Sequence, residues 1–195
     1  MALDFESGLA KASEQLTELA SATLSPIVLI DGRAGSGKSL FARRLAENFF
    51  SEHRHAARVV HLDDLYPGWE GLAAGSVYAR ERILEQIASG KSATWQIWNW
   101  HAGERGAADE PGNGFREFSG GTPLILEGCG ALSRASAELA SLSIWLESDE
   151  ATRRARFSER DNGKFDEYFG IWAAQEDEFY ESERSSEFAQ RVIQN

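Results

Sequence analysis

The sequence predicts an α/β fold: a three-layer sandwich with a central parallel sheet of about five strands, helices on both faces, and a short helical lid. Two observations carry the layers. Short β-branched, apolar runs alternate along the chain with longer segments of helical periodicity, the pattern of a parallel sheet covered on both sides. The first such run also passes directly into a glycine-rich turn that opens a helix, "IDGRAGSGKSLFA" at 30–42. A chain of 195 residues suits one domain with a sizeable core, and no repeat or linker divides it.

The elements follow in order. Phe5, Leu9, Ala12, Leu16 and Leu19 recur at helical spacing, so a helix is expected over about 4–22, within an N-terminal helical extension of 1–25. Pro26 ends it, and "IVLI" (27–30) reads as a buried strand from its β-branched content. A helix over 38–50 and a strand over 57–62 come next, then a turn-rich "DDLYPGWEGLAAG" and a helix over 76–89. "TWQIWNWH" (94–101) alternates like an extended segment, although its tryptophans also suit a pocket wall. A polar, glycine-rich loop is expected over about 102–121. Strands at 123–128 and 142–147 and helices at 149–160 and 164–184 complete the pattern, with "FAQRVI" (188–193) as a short closing strand. The lid is expected over about 149–164.

Composition narrows the class. A net charge of -11 argues against a surface built for nucleic acid, which needs clustered Lys and Arg. The single cysteine, Cys129, excludes an internal disulfide and a multi-thiolate zinc site. His53, His55, His61 and His101 show no metal-ligand partnership. The acidic start "MALDFESGLAKASEQL" is no secretory signal, and no run approaches the roughly 18 apolar residues of a membrane span. A cytoplasmic protein with no membrane partner is expected.

Gly32, Gly37, Lys38 and Ser39 fit G-x-x-x-x-G-K-[ST], the Walker A pattern, after a strand and before a helix. The expected phosphate cradle is Gly32, Arg33, Ala34, Gly35, Ser36, Gly37, Lys38, Ser39 and Leu40. Glycines let backbone N–H groups converge on a phosphate where a Cβ would obstruct, and the helix N-terminus adds its positive dipole end. Lys38 can reach the β- and γ-phosphates and Ser39 can ligate Mg²⁺. This predicts a P-loop NTPase binding ATP with Mg²⁺. A GTPase would carry N-K-x-D, and the sequence has none. "DEPG" (109–112) spells D-x-x-G, but with no strand before it the stretch reads as a turn. A motor or large ATPase would need more chain. A small kinase remains, whose catalysis is positioning plus charge stabilisation.

"HLDDLYPGW" sets Asp63 and Asp64 just past a strand end, where open α/β sheets bind ligands. One of them could accept the proton of an attacking hydroxyl; both could equally be turn or cap residues. Here the chain resembles the uridine/cytidine kinase branch of the P-loop kinases, whose Asp-x-Phe-Tyr is matched by Asp63-Asp64-Leu65-Tyr66, with Leu for Phe. The resemblance implies Asp63 as the catalytic base and Tyr66 as an acceptor contact. It implies Glu127 of "LILEG" as a direct or water-mediated holder of Mg²⁺. "RRARFSERD" supplies Arg153, Arg156, Arg160 and Asp161 in the register of that family's lid, and on a helix such spacing puts the three arginines on one face, as a phosphate clamp or as a solvated surface. The family's acceptor segment, with its Tyr-Asp and later Thr-His, is replaced here by "WQIWNWHAGER" (95–105). "LDDLYPGW", a Trp-x-Trp and "WAAQE" also resemble actinobacterial-type P-loop kinases.

Trp95, Trp98 and Trp100, with Tyr66 and Trp69, can wall a pocket for a planar base, with Asn99 reading its edge; core packing or an interface patch is the alternative, and a homodimer is a separate expectation. Arg105 and Arg116, if turned inward, would favour an already phosphorylated acceptor, and if turned outward a neutral nucleoside or polyol. Cys129 reads as a small buried thiol, and Gln175 and Glu176 as structural. The expected activity is ATP-dependent phosphoryl transfer to a hydroxyl of a small nucleoside-like acceptor. A nucleoside monophosphate, sugar acid or vitamin precursor is the alternative acceptor, and an ATP-dependent switch or binding module the alternative from another class.

Overall fold

The computed structural model describes residues 2–106 and 114–195. "DEPG" lies outside the described residues. A six-stranded, all-parallel sheet runs in the order β1-β10-β9-β2-β8-β3, with β1 at Leu3–Asp4, β2 at Ile27–Asp31, β3 at Arg58–His61, β8 at Leu124–Glu127, β9 at Leu142–Glu147 and β10 at Arg191–Gln194. The expectation of about five strands misses β1, a two-residue strand too short to leave a periodic trace. Asp4 then caps helix α1 (Phe5–Ala22), its carboxylate accepting the Ser7 N–H at 3.0 Å. The N-terminal segment is thus part of the sheet and its covering layer.

Alternation sorts the core. Ile27 and Leu29 face one side of the sheet with Val60, Leu124 and Leu126. Val28 and Ile30 face the other with Ile125, Ile144 and Leu146, against α1 and helix α2 (Lys38–His53). Strands buried on both faces read as continuous apolar runs, which is why β2, β8 and β9 are legible from sequence.

The first face is covered by α3 (Leu72–Ala79), a single π-turn (Arg80–Leu84) and α4 (Glu85–Ala88), and by α7 (Phe169–Glu183). This helical stretch begins four residues before the predicted 76, because Leu72 is itself a core residue. "TWQIWNWH" divides into β4 (Ala93–Gln96) and β5 (Trp98–Asn99). The predicted polar loop holds two further strands, β6 (Glu104–Arg105) and β7 (Phe115–Phe118), which pair antiparallel with β5 and β4. Their exposed–intermediate alternation has no apolar face to announce it. A short α5 (Arg134–Ala137) precedes β9, and α6 (Glu150–Arg160) follows it. The predicted second closing helix starts at Phe169, after a 3-10 turn at Asp166–Tyr168. No described helix is long and apolar enough to cross a membrane.

Candidate active site

The glycine-rich turn sits at the C-terminal end of central strand β2 and delivers the chain into α2. Gly37 occupies the helix N-cap with φ 95° and offers no side-chain cap. No side chain at the cap takes up the N–H groups that follow, an arrangement suited to an anion. No acidic residue sits in the first turn of α2, leaving its dipole free for phosphate. Gly35, at φ +79°, admits helix α6: a Cβ there would come within 2.2 Å of the Arg153 carbonyl oxygen.

Ala34, Gly35, Gly37, Lys38, Ser39 and Leu40 line one end of a cavity of about 760 Å³. Arg33 reaches outward to Asp177 at 2.6 Å, and Ser36 is buried beneath the turn. Lys38 is buried, its Nζ donating to the Arg33 carbonyl at 3.0 Å and lying 3.4 Å from Cys129 Sγ. Burial pulls its pKa down, but Cys129, Glu127, Glu176 and Asp31 outweigh that and push it up to about 12, so it stays a cation.

Strand ends supply the opposite groups. Leu62–Asp64 form a 3-10 turn after β3, which projects Asp63 into the cavity and leaves Asp64 outside its lining. The Asp63 side chain opens to the cavity and is 61% exposed; desolvation by the surrounding cleft raises its carboxyl above the ordinary 3.8, the Glu127 charge adds to this, and Arg160 and Lys38 oppose it. Arg160 Nη1 lies 3.4 Å from Asp63 Oδ2. Glu127, at the end of β8, is buried and takes His61 Nδ1 at 2.5 Å on one oxygen. That hydrogen bond raises the His61 pKa, against the pull of burial.

Among the described residues no cluster of three His, Cys, Asp or Glu could hold a metal by itself. Ser39 and Glu127 nevertheless face the same cavity, and a hydroxyl with a carboxylate suits Mg²⁺ when phosphate oxygens complete the shell. Burial pushes the Cys129 thiol well up, with Lys38 opposing.

The three lid arginines divide. Arg156 and Arg160 line the cavity, and Arg156 Nη1 approaches the Gly35 carbonyl at 3.4 Å. Arg153 is buried beneath the phosphate turn, its Nε donating to Ser148 O at 3.2 Å and its Nη1 to Ala34 O at 3.4 Å. Of the three arginines expected on one phosphate-facing side, Arg153 is placed behind the turn, because α6 starts flush against it.

The acceptor end departs further from expectation. Of the tryptophans in "WQIWNW", only Trp100 lines the cavity. Trp95 is core, under the Arg58 guanidinium. Trp98 lies beside Arg105, and Asn99 spends its carbonyl oxygen on the N–H groups of His101 and Ala102. Trp98 and Asn99, expected as acceptor contacts, thus lie outside the cavity lining. Arg105 turns onto the Tyr78 ring and donates to Gln96 O and Leu65 O, so it is not free for an acceptor phosphate. Arg116 donates to its neighbour's carbonyl, Phe115 O.

The aromatic wall is assembled instead from Trp69, Trp100, Phe165, Tyr168 and Trp172. Trp69 stacks on Tyr168 at 4.5 Å and 9°, and Trp100 tilts against Trp69 at 5.2 Å. The Trp100 indole N–H donates to the Asp63 carbonyl at 3.0 Å, tying this wall to the candidate base. Tyr66 reaches the cavity, but its hydroxyl donates to Cys129 O. Sequence reasoning misses Phe165, Tyr168 and Lys164; their signal is an aromatic run directly after the lid arginines.

No protein-family model matches this sequence and no curated protein matches it significantly. Solved structures do. A chain of Bacillus stearothermophilus described as a possible uridine kinase superposes with TM-score 0.64 at 16% identity, over 95% of this chain and 98% of that one. A Silicibacter sp. chain, to which the role of a fructose transport system kinase is ascribed, gives 0.59 at 20% identity over 95% and 98%. The D-glycerate 3-kinase of Cryptococcus neoformans var. grubii gives 0.56 at 12% identity over 97% and 95%. At these identities the likeness is one of fold: the chain has an α/β P-loop kinase fold and resembles the uridine kinase-like structures.

Proposed function

We propose that this protein transfers the γ-phosphoryl group of ATP to a hydroxyl of a small, nucleoside-like acceptor. The observation that carries the reading is Asp63 in one cavity with Lys38 and the phosphate turn, roofed by Arg160 and adjoined by an aromatic recess. The ATP phosphates rest on the N–H groups at the start of α2, with Lys38 against the β- and γ-oxygens. The acceptor ring stacks in the Trp69–Tyr168–Trp100 recess and aims its hydroxyl at Asp63. The Asp63 carboxylate takes the hydroxyl proton as the acceptor oxygen bonds to the γ-phosphorus and the bond to the ADP oxygen breaks. Arg160 and Arg156 stabilise the negative charge on the transferring oxygens. Ser39 and Glu127 would hold Mg²⁺, which would supply charge neutralisation at the phosphate oxygens.

The aromatic recess favours a flat acceptor over a polyol, since stacking contributes about 1–3 kcal/mol per ring. The engagement of Arg105 in backbone contacts weighs for a neutral nucleoside over a monophosphate. Coupled ADP release across nucleosides, nucleoside monophosphates, sugar acids and pantothenate tests this. Nucleoside-dependent release is the expected result. Release only with a monophosphate, sugar acid or pantothenate moves the acceptor class. ATP binding with no acceptor-dependent release anywhere overturns the kinase reading in favour of a nucleotide-dependent switch.

A further inference from the structure

We propose that Glu176 and Arg153 form a brace that positions the phosphate turn, so that Arg153 acts on the nucleotide through the turn rather than by touching phosphate. The inference rests on the ATP reading above. Glu176 lies on α7, is 1% exposed, and aims its carboxylate at the back of the turn. Its Oε1 accepts the Ala34 N–H at 2.6 Å, and Cys129 Sγ lies 3.2 Å from the same oxygen. Its Oε2 lies 3.6 Å from Arg33 Nη1 and 3.9 Å from Arg153 Nη1. Arg153 in turn donates to the Ala34 carbonyl. Both peptide groups of Ala34 are thus gripped, the N–H by an acid from α7 and the C=O by a base from the lid helix.

A carboxylate behind a phosphate site is costly unless its charge is matched nearby, since buried charges survive only when paired and hydrogen-bonded. Arg153 and Arg33 supply that match. The same helix face carries Trp172 and Gln175: the first lines the cavity, and the second binds Trp69 O at 2.6 Å and Leu72 N at 3.3 Å. Helix α7 therefore holds the acceptor wall and the donor turn from one rigid element. Residues 172, 175 and 176 are spaced to share that face.

Binding of Mg·AMP-PNP by titration calorimetry, with melting temperature in parallel, tests the brace in E176Q, R153M and the double variant. E176Q keeps an oxygen for the Ala34 N–H while removing the charge. Each single variant is expected to weaken AMP-PNP about tenfold, as a loosened turn misplaces its N–H groups. The double variant should be no weaker than the worse single one, because each single change strands a buried charge that the double change removes. With a working acceptor, KM for ATP should rise about tenfold and kcat fall by no more than about threefold. R153K, which keeps the charge but cannot span Ser148 O and Ala34 O, should recover part of the affinity. Unchanged AMP-PNP affinity in folded E176Q and R153M overturns the proposal, whatever happens to the melting temperature. So does a collapse of kcat with affinity retained in R153M, which would return Arg153 to the clamp. Wild-type protein that fails to bind AMP-PNP refutes the ATP reading itself, a separate result.

Discussion

The two ends of the cavity are built in different ways. The core of the proposed donor end is one contiguous stretch, the turn and helix start at 32–40, to which the ends of β3 and β8 add Asp63 and Glu127. The acceptor end is made of side chains from four separated places: Trp69 after β3, Trp100 beyond β5, Phe165 and Tyr168 past the lid, and Trp172 on α7. Backbone binding demands particular residue types at fixed spacing, chiefly glycines and a lysine, and so leaves a motif. Aromatic stacking accepts any large ring that the fold delivers, and it leaves none. A donor site can therefore be read from spacing, whereas an acceptor site of this kind must be read from packing.

The largest expected effect tests whether the donor end reacts as well as binds. Asp63→Asn should lower kcat by about 10²- to 10⁴-fold, the usual range for a lost general base, while AMP-PNP affinity persists. Because the cleft raises the Asp63 pKa, and the base must be ionised, wild-type kcat/KM should fall as pH drops through a value above 3.8. Unaltered turnover in Asp63→Asn would move the base elsewhere.

A second measurement concerns the floor on which both ends stand. Asp31, fully buried at the end of β2, accepts N–H groups from Gly32, Gly130 and Leu132 and the Tyr180 hydroxyl. Burial pushes its carboxyl from 3.8 to about 6, although the N–H groups, Tyr180 and Lys38 pull it down. A raised folded pKa means stability present below pH 3.8 and lost as pH rises through about 6. At about 1.4 kcal/mol per pKa unit, that loss is about 3 kcal/mol. Urea unfolding at pH 4, 5, 6 and 7 should show it in the wild type, and Asp31→Asn should lack that component of the slope. Parallel slopes would mean that the donors already keep Asp31 ionised at acid pH.

The smallest effects separate the two ends at the residue they share. Trp69→Leu should raise acceptor KM about tenfold and leave ATP KM unmoved, in line with one lost stacking surface. Trp100→Phe keeps a ring but removes the N–H held by the Asp63 carbonyl. Its kcat should fall about threefold to tenfold, the worth of one hydrogen bond, with acceptor KM changed by less than about twofold. The reverse pattern, KM raised and kcat kept, would make Trp100 purely a wall.

Much of the donor end is legible in the amino-acid sequence alone. The strands β2, β8 and β9 and the glycine-rich turn follow from apolar runs and from what stands at their ends, whereas Asp63 and Glu127 are singled out by the resemblance to the uridine/cytidine kinases. The exceptions share one cause, which is that register along the chain does not say what lies behind a residue. Arg153, Arg156 and Arg160 share a helix face by spacing, yet α6 meets the turn so closely that the first serves the turn and the others face the cavity. Asn99 carries the right groups for reading a base edge, but it is spent on its own turn. Glu176 reads as a structural residue of an amphipathic helix; only the docking of α7 makes it the partner of Ala34.

What the sequence by itself determined is local and periodic: the alternation that makes a covered parallel sheet, and the glycines, lysine and serine that shape a phosphate turn. These need only neighbours within a few residues, so the chain states them directly. What the tertiary structure alone decided is which distant side chains meet: the aromatic wall, the brace under Ala34 and the tie from Trp100 to Asp63. Those contacts arise from how α6, α7 and the β5–β6 hairpin pack against the sheet, and packing is a property of summed surfaces that no single stretch encodes.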